Sequence, residues 1–126
     1  MIFVDTNGLM YAVGREHPLR AEAQAFFRRQ LEEPEGLVTS AEVLQELLHA
    51  YLPVDRLETL EAAFTLIEAS IPTVWPIEPD DVHYARTLAE SETQLGARDL
   101  LHLACCQRRG VDRIQTFDRG LRAAFA

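Results

Sequence analysis

The chain opens Met1-Ile2-Phe3-Val4-Asp5-Thr6-Asn7, and this stretch decides the fold. Ile2, Phe3 and Val4 follow one another without polar alternation, which suits a strand buried on both faces, as in a parallel sheet covered by helices. Such a sheet places its ligand site at the carboxyl ends of its strands. Asp5 therefore falls at the functional edge, and Asn7 is expected to cap the helix that follows. One acid at a strand end means little unless other acids come to meet it.

Working outward, Gly8 to Gly14 reads as a short helix. His17-Pro18 opens a longer one to about Glu32, with Ala21, Ala25, Phe26 and Leu31 near one stripe. Leu37-Val38-Thr39 is a second strand, and Ser40 is a natural N-cap for a third helix. There Leu44, Leu47, Leu48, Tyr51 and Leu52 form one face, with Glu42, Glu46 and His49 on the other. Pro53 interrupts, and Asp55 to Ser70 is a further helix with Leu57, Leu60, Phe64 and Ile67 inward. Pro72 to Ile77 is a strand hemmed by prolines, hence near a sheet edge.

A helix from Asp80 or Asp81 runs to about Thr93, and Gly96 breaks the chain before Ala97 to Cys106. That last segment is apolar nearly all round and should be buried, with Gly110 closing it. Arg113 to Phe117 supplies a fourth strand, Asp118 follows it, and a final helix starts at Arg119. Strands separated by helices imply a single α/β domain over residues 1–126, with three layers (α/β/α) and a mainly parallel sheet of four to five strands.

Composition narrows the class. At 126 residues the chain can bury a sizeable core, and its 48% hydrophobic and 25% charged shares are those of an ordinary globular protein. No apolar run approaches a membrane span, and the N-terminus lacks a signal-peptide layout. The neighbouring Cys105 and Cys106 are badly placed to bridge each other, so a reduced, cytoplasmic setting is expected. All twelve basic residues are arginine. Residues 1–97 carry a balance of −11 and residues 98–126 a balance of +3, within a net charge of −8. An acidic chain is a poor general binder of nucleic acid, but its last quarter offers a local basic surface.

Three acids stand where this layout puts function. Asp5 follows the first strand, Asp118 the fourth, and Asp99 opens the buried helix. A charge at a helix N-terminus and a capping residue in a turn account for Asp99 and Asp118 singly. Together, carboxylates at one sheet edge repel unless a cation neutralises them. Oxygen ligands without a Cys/His cluster favour Mg²⁺ or Mn²⁺ over zinc.

Val4-Asp5-Thr6-Asn7, Val43-Leu44-Gln45-Glu46-Leu47, Asp99-Leu100-Leu101-His102-Leu103-Ala104 and Thr116-Phe117-Asp118 resemble the four signatures of PIN-domain ribonucleases, in order and across essentially the whole chain. The nearest resemblance is to the VapC toxins of bacterial toxin–antitoxin pairs. It implies a metal-dependent endoribonuclease with one or two Mg²⁺ or Mn²⁺ ions. Asp5 and Asp99 would be principal ligands, with Glu46 and Asp118 completing the site directly or through water. Thr6, Asn7 and Thr116 would support the carboxylates. The same resemblance implies a VapB-like antitoxin as partner, RNA as substrate and self-association into a homodimer or larger assembly.

Helix position alone favours Glu42 over Glu46, since Glu42 lies nearer the strand end; Glu46 is taken on its match to the family's Glu-Leu signature. His102 is expected to be a hydrogen-bonded core histidine. Candidate RNA contacts are Arg98, Arg108, Arg109, Arg113, Arg119 and Arg122, set against the plain reading of solvated helix faces. A haloacid-dehalogenase-like phosphatase needs a second Asp where this chain has Asn7, and it commonly uses a downstream Lys or Arg to hold phosphate. A phosphate-accepting receiver domain wants a lysine, and the chain has none. A PIN-like binding module without turnover is the alternative from another class.

Overall fold

The computed structural model describes all of residues 1–126. In chain order the elements are β1 (Ile2–Val4), α1 (Thr6–Val13), α2 (Arg20–Glu32), β2 (Leu37–Ser40), α3 (Ala41–Tyr51), α4 (Leu57–Ser70), β3 (Thr73–Trp75), α5 (Pro79–Leu88), α6 (Ala97–Arg108), β4 (Ile114–Gln115) and α7 (Arg119–Ala124), with a 3-10 turn over Leu52–Val54 between α3 and α4. The four strands are all parallel, in the order β3-β2-β1-β4. The most apolar strand, β1, is thus central, and every one of its residues is buried. The proline-hemmed β3 lies at one edge, as its sequence requires, and β4 lies at the other.

Register sets up the site. Phe3 pairs with Val38 of β2 and with Ile114 of β4, and the Asp5 amide donates to the Gln115 carbonyl at 3.0 Å. Asp5 and Thr116 therefore leave the sheet side by side. β2 passes into α3 without a loop, which brings the first turns of α3 to the same edge.

The helices form two packed groups, α1 to α4 and α5 to α7. Phe3 is fully buried between the rings of Trp75 and His102, with centroids 5.8 and 5.4 Å away. At the start of α6, Asp99 is half-buried, while Leu100 and His102 through Cys106 are buried, as the all-round apolar pattern requires. Both cysteines are free, and burial pushes the Cys105 thiol up to about 11, which keeps it protonated and unreactive.

Several local expectations differ from the structure. Asp5, not Asn7, caps α1: helix starts directly at Thr6, and the Asp5 side chain accepts from the Thr6 amide. Ser40 stands at the N-cap of α3, but its hydroxyl is buried without a partner. α2 buries Ala23, Phe26 and Phe27 and leaves Leu31 79% exposed. α5 ends at Leu88, short of Thr93. Leu57 of α4 is exposed, and the buried positions are Ala63 and Ile67.

The largest departure is in α3. Its buried stripe is Val43, Leu47 and Tyr51, while Leu48 and Leu52 face out. The expected face already held Leu47 and Tyr51, but adding Leu44, Leu48 and Leu52 turns its centre by roughly 70° from that of the buried stripe. With the phase corrected, Glu46 lies about 60° from Val43 and borders the buried face.

Candidate active site

At the carboxyl edge of β1 and β4, ten residues line an open hollow of about 220 Å³, among them Asp5, Glu46, Asp99 and Asp118. Four carboxylates from four separate parts of the chain thus face one space. Asp5 is 5% exposed; its Oδ1 accepts from the Thr6 amide at 2.8 Å and its Oδ2 from the Thr116 hydroxyl at 2.7 Å. The Thr6 hydroxyl donates to Glu46 Oε2 at 2.7 Å, and Glu46 Oε1 meets His102 Nε2 at 2.7 Å. Asp99 enters none of these hydrogen bonds, so its oxygens are left for whatever occupies the hollow. Asp118 is exposed, and its Oδ1 caps α7 by accepting from the Leu121 amide at 2.8 Å.

Thr116 organises the edge. Its hydroxyl donates to Asp5 and accepts from Asn7 Nδ2 at 3.3 Å and from the Asp118 amide at 3.0 Å. One proton and two lone pairs are thereby all used. Asn7 Oδ1 accepts from the Phe117 amide at 3.1 Å, so Asn7 ties α1 to the end of β4. The three supporting residues each hold a carboxylate, or the backbone that carries one, in place.

His102 is both a core histidine and part of the site. Its Nε2 lies 3.7 Å from Asp5 Oδ1 as well as 2.7 Å from Glu46, and it is almost fully buried. Its sequence signal is spacing: three residues after Asp99, it shares that face of α6. The hollow also includes Met10, His49 and Ala50, none of which the motifs single out. His49 sits about one turn after Glu46 on α3, on the polar face that already held Glu46 in the sequence.

The charges are strongly coupled. Burial raises the Asp5 carboxyl above its ordinary range, against the pull of His102 and the Thr116 hydrogen bond. Asp99 is likewise raised, first by burial and then by the charges of Asp118 and Asp5. For Glu46 burial pushes up, but the hydrogen bond and charge of His102 outweigh it and the carboxyl is lowered. For His102 burial pushes down, and the Glu46 hydrogen bond with the surrounding acids outweighs it, raising the imidazole.

Ligand atoms of Asp5, Glu46 and His102 all lie within 4.8 Å of one another. Asp99 and Asp118 face the same hollow but lie outside that tight trio. Repelling carboxylates, one without a hydrogen bond, suit a hard divalent cation with oxygen ligands. Glu42, on the same helix as Glu46, does not line the hollow.

The arginines scatter. Arg98 lines the acidic hollow. Arg108 and Arg109, at the far end of α6, pair with Asp81, a fully buried carboxylate on α5, at 2.5 and 2.8 Å. Arg113 pairs with Glu35 at 2.5 Å, Arg122 donates to the Thr116 carbonyl, and Arg119 is exposed on α7.

Comparison with known proteins gives the family. The PIN domain family matches residues 2–125. Ribonuclease VapC23 of Mycobacterium tuberculosis is 61% identical over 125 residues, covering 99% of this chain and 98% of that protein. Ribonuclease VapC13 of the same organism is 42% identical over 120 residues, covering 95% and 92%. Among solved structures, M. tuberculosis VapC20, described as a sarcin-ricin loop cleaving toxin, superposes with a TM-score of 0.74 at 21% identity, covering 98% of this chain and 95% of that one. VapBC2 from Rickettsia felis, bound to a DNA fragment from its promoter, gives 0.71 at 16% identity, covering 94% and 88%. The two structures share the fold; the two sequences, alike over nearly their full lengths, share more, and the chain belongs to the PIN-domain family, among its VapC-type members.

Proposed function

We propose that this protein is a metal-dependent endoribonuclease that hydrolyses RNA phosphodiester bonds, acting as the toxin of a toxin–antitoxin pair. One observation carries the reading: a chain 61% identical to a named ribonuclease brings Asp5, Glu46, Asp99 and Asp118 onto one hollow, with no arginine ion-paired to any of them. Asp5 and Asp99 would be the principal holders of Mg²⁺ or Mn²⁺, as one ion or two, with Glu46 and Asp118 completing the set. When bound, such a cation supplies positive charge against the phosphodiester and makes water a better nucleophile at neutral pH.

The protein's own residues supply the rest. Thr6 and Thr116 hold Asp5 and Glu46 in fixed orientations, so little reorganisation is needed as charge develops. His102 offsets part of the carboxylate repulsion that would otherwise splay the site. Arg98, at the rim, is the one guanidinium in the hollow and is placed to meet a phosphate oxygen. The other arginines named from sequence are RNA contacts only where their own ion pairs leave donors free.

A VapB-like antitoxin is the expected partner, supported by the VapC names of the relatives and by a VapBC complex among the fold neighbours. Self-association and a cytoplasmic setting are expected from the same kinship; no helix is long and apolar enough to cross a membrane. The test is cleavage of RNA by purified protein with Mg²⁺ or Mn²⁺. Wild type should cleave, chelator should stop it, and Asp5→Asn or Asp99→Asn should bring it below detection while the circular dichroism spectrum is retained. Full cleavage by folded Asp99→Asn would remove the site assignment, and a wild type that binds metal without cleaving RNA would leave a binding module.

A further inference from the structure

A second hollow, of about 270 Å³, runs along the free edge of β4 and reverses the sign of the chain. Arg29 from α2, Arg113 at the start of β4 and Arg122 from α7 line it together with Gln30 and Thr116, and Glu35 is its one carboxylate. The hollow thus carries three positive charges against one negative, on a protein whose net charge is −8. Glu35, paired with Arg113 at 2.5 Å and accepting from the Gln30 side chain at 3.3 Å, offsets only one of the three. A guanidinium has five donors, so Arg113 keeps most of its own after that pairing. Arg29 is exposed, and no carboxylate other than Glu35 faces this space.

Thr116 lines this hollow and is hydrogen-bonded to Asp5, which lines the acidic one. Its hydroxyl donates to Asp5 on one side, and its carbonyl accepts from Arg122 on the other. Arg113 lies three residues back along the strand, roughly 10 Å at strand rise. A polyanion with one phosphate at the acidic hollow would therefore carry its neighbouring phosphates past Arg122 and Arg113, and on towards Arg29. Guanidinium groups suit this task, since their planar fork binds phosphate oxygens in pairs. By contrast Arg108 and Arg109, which add as much to the sequence's basic balance, converge on buried Asp81 and face no such space.

We propose that the Arg29–Arg113–Arg122 hollow along β4 binds the sugar–phosphate backbone of single-stranded RNA beside the scissile bond. This rests on the ribonuclease reading for its substrate, yet it is measurable without turnover. A fluorescein-labelled single-stranded oligoribonucleotide is titrated with protein in chelator, by anisotropy, between about 50 and 200 mM salt. Each phosphate that the protein ceases to neutralise lowers the slope of log affinity against log salt by about 0.7 for a single strand. Arg29→Ala and Arg113→Ala should each lower it by about that amount, and the double variant by about twice as much. Arg29→Lys and Arg113→Lys, which keep the charge, should restore most of the slope, and Arg86→Ala on α5 should leave it unchanged. Where alanine unsettles the fold, Arg29→Gln and Arg113→Gln give the same readout.

A folded double variant with wild-type slope and affinity overturns the proposal. So does a polyglutamate peptide that binds the wild type more tightly than the oligoribonucleotide at equal salt, since the hollow would then favour acidic protein segments. The two readings separate cleanly. Wild type that never cleaves RNA with metal, but has a reduced slope in the double variant, sinks the enzyme and leaves the hollow. Wild type that cleaves, with an unaltered double variant, does the reverse.

Discussion

At Thr116 a single hydroxyl connects Asp5, Asn7 and the backbone of Asp118, so its removal should loosen two carboxylates at once. Groups that orient metal-binding side chains typically matter by about 10- to 100-fold in metal affinity or activity. Thr116→Val should lower RNA cleavage by about that factor and raise the Mg²⁺ concentration needed for half-maximal rate; unchanged metal dependence would make the hydroxyl a packing group. Glu46→Gln should cripple cleavage and Glu42→Gln should leave most of it, because only Glu46 faces the hollow and meets Thr6 and His102. Equal losses in a paired assay would contradict that placement. Asp5, Asp99 and Asp118 were readable from sequence because a strand end and a helix start locate a residue without any rotation about an axis. Glu46 was not, because a mid-helix residue depends on phase, and the extra leucines of α3 obscured it. Motif resemblance singled it out where nearness to the strand end pointed to Glu42.

The α5–α6 pair shows what charge counting misses. Arg108 and Arg109 contribute to the +3 balance of the last quarter, yet both guanidinium groups are directed at Asp81 on another helix. Arg109 also lies 5.0 Å from the centroid of the Trp75 ring, so one side chain ties α6 to α5 and to β3. Such a pairing joins residues far apart in the chain and leaves no local pattern to read. Burial alone would raise the Asp81 carboxyl, but hydrogen bonds from Arg109, the Glu78 amide and Arg108 hold it far below its ordinary value of 3.8. A folded pKa below the unfolded one gives stability that is present above 3.8 and lost as pH falls through the folded value. Asp81→Asn should therefore cost about 3 kcal/mol at neutral pH, since it removes the buried charge that both guanidinium groups share and leaves them only the exposed Glu78 and Asp80, and the cost should shrink at strongly acidic pH. Urea melts at neutral and acidic pH measure this, and a loss that does not change with pH would contradict the assignment. Strand positions fared better: β1 was legible as a strand buried on both faces from its unbroken hydrophobicity, and β3 as an edge strand from its flanking prolines. The helices α2, α3 and α4 were legible and their stripes partly so: Phe26, Leu47, Tyr51, Leu60, Phe64 and Ile67 join the core, whereas Leu31, Leu48, Leu52 and Leu57 face out, because composition marks which residues are apolar and not which of them find a partner.

For the molecule as a whole, the parallel sheet gathers four carboxylates at one edge, and their repulsion is a cost of the fold that a bound cation would relieve. Asp99 carries this cost visibly, its carboxyl raised by burial and by Asp118 and Asp5. A folded pKa above the unfolded value means that the native state holds the extra proton, so this contribution weakens stability as pH rises through that window and remains unfavourable at neutral pH. Removing the charge should then stabilise the metal-free protein while removing the site. A cation that binds only the native state stabilises it further as its concentration rises above the dissociation constant. Thermal melts of wild type and Asp99→Asn at neutral pH, in chelator and in saturating Mg²⁺ or Mn²⁺, test both statements together. The account predicts that Asp99→Asn melts higher than wild type in chelator, and that metal raises the wild-type melting temperature much more than the variant's. Equal metal shifts in the two proteins would contradict the claim that these carboxylates form the cation site.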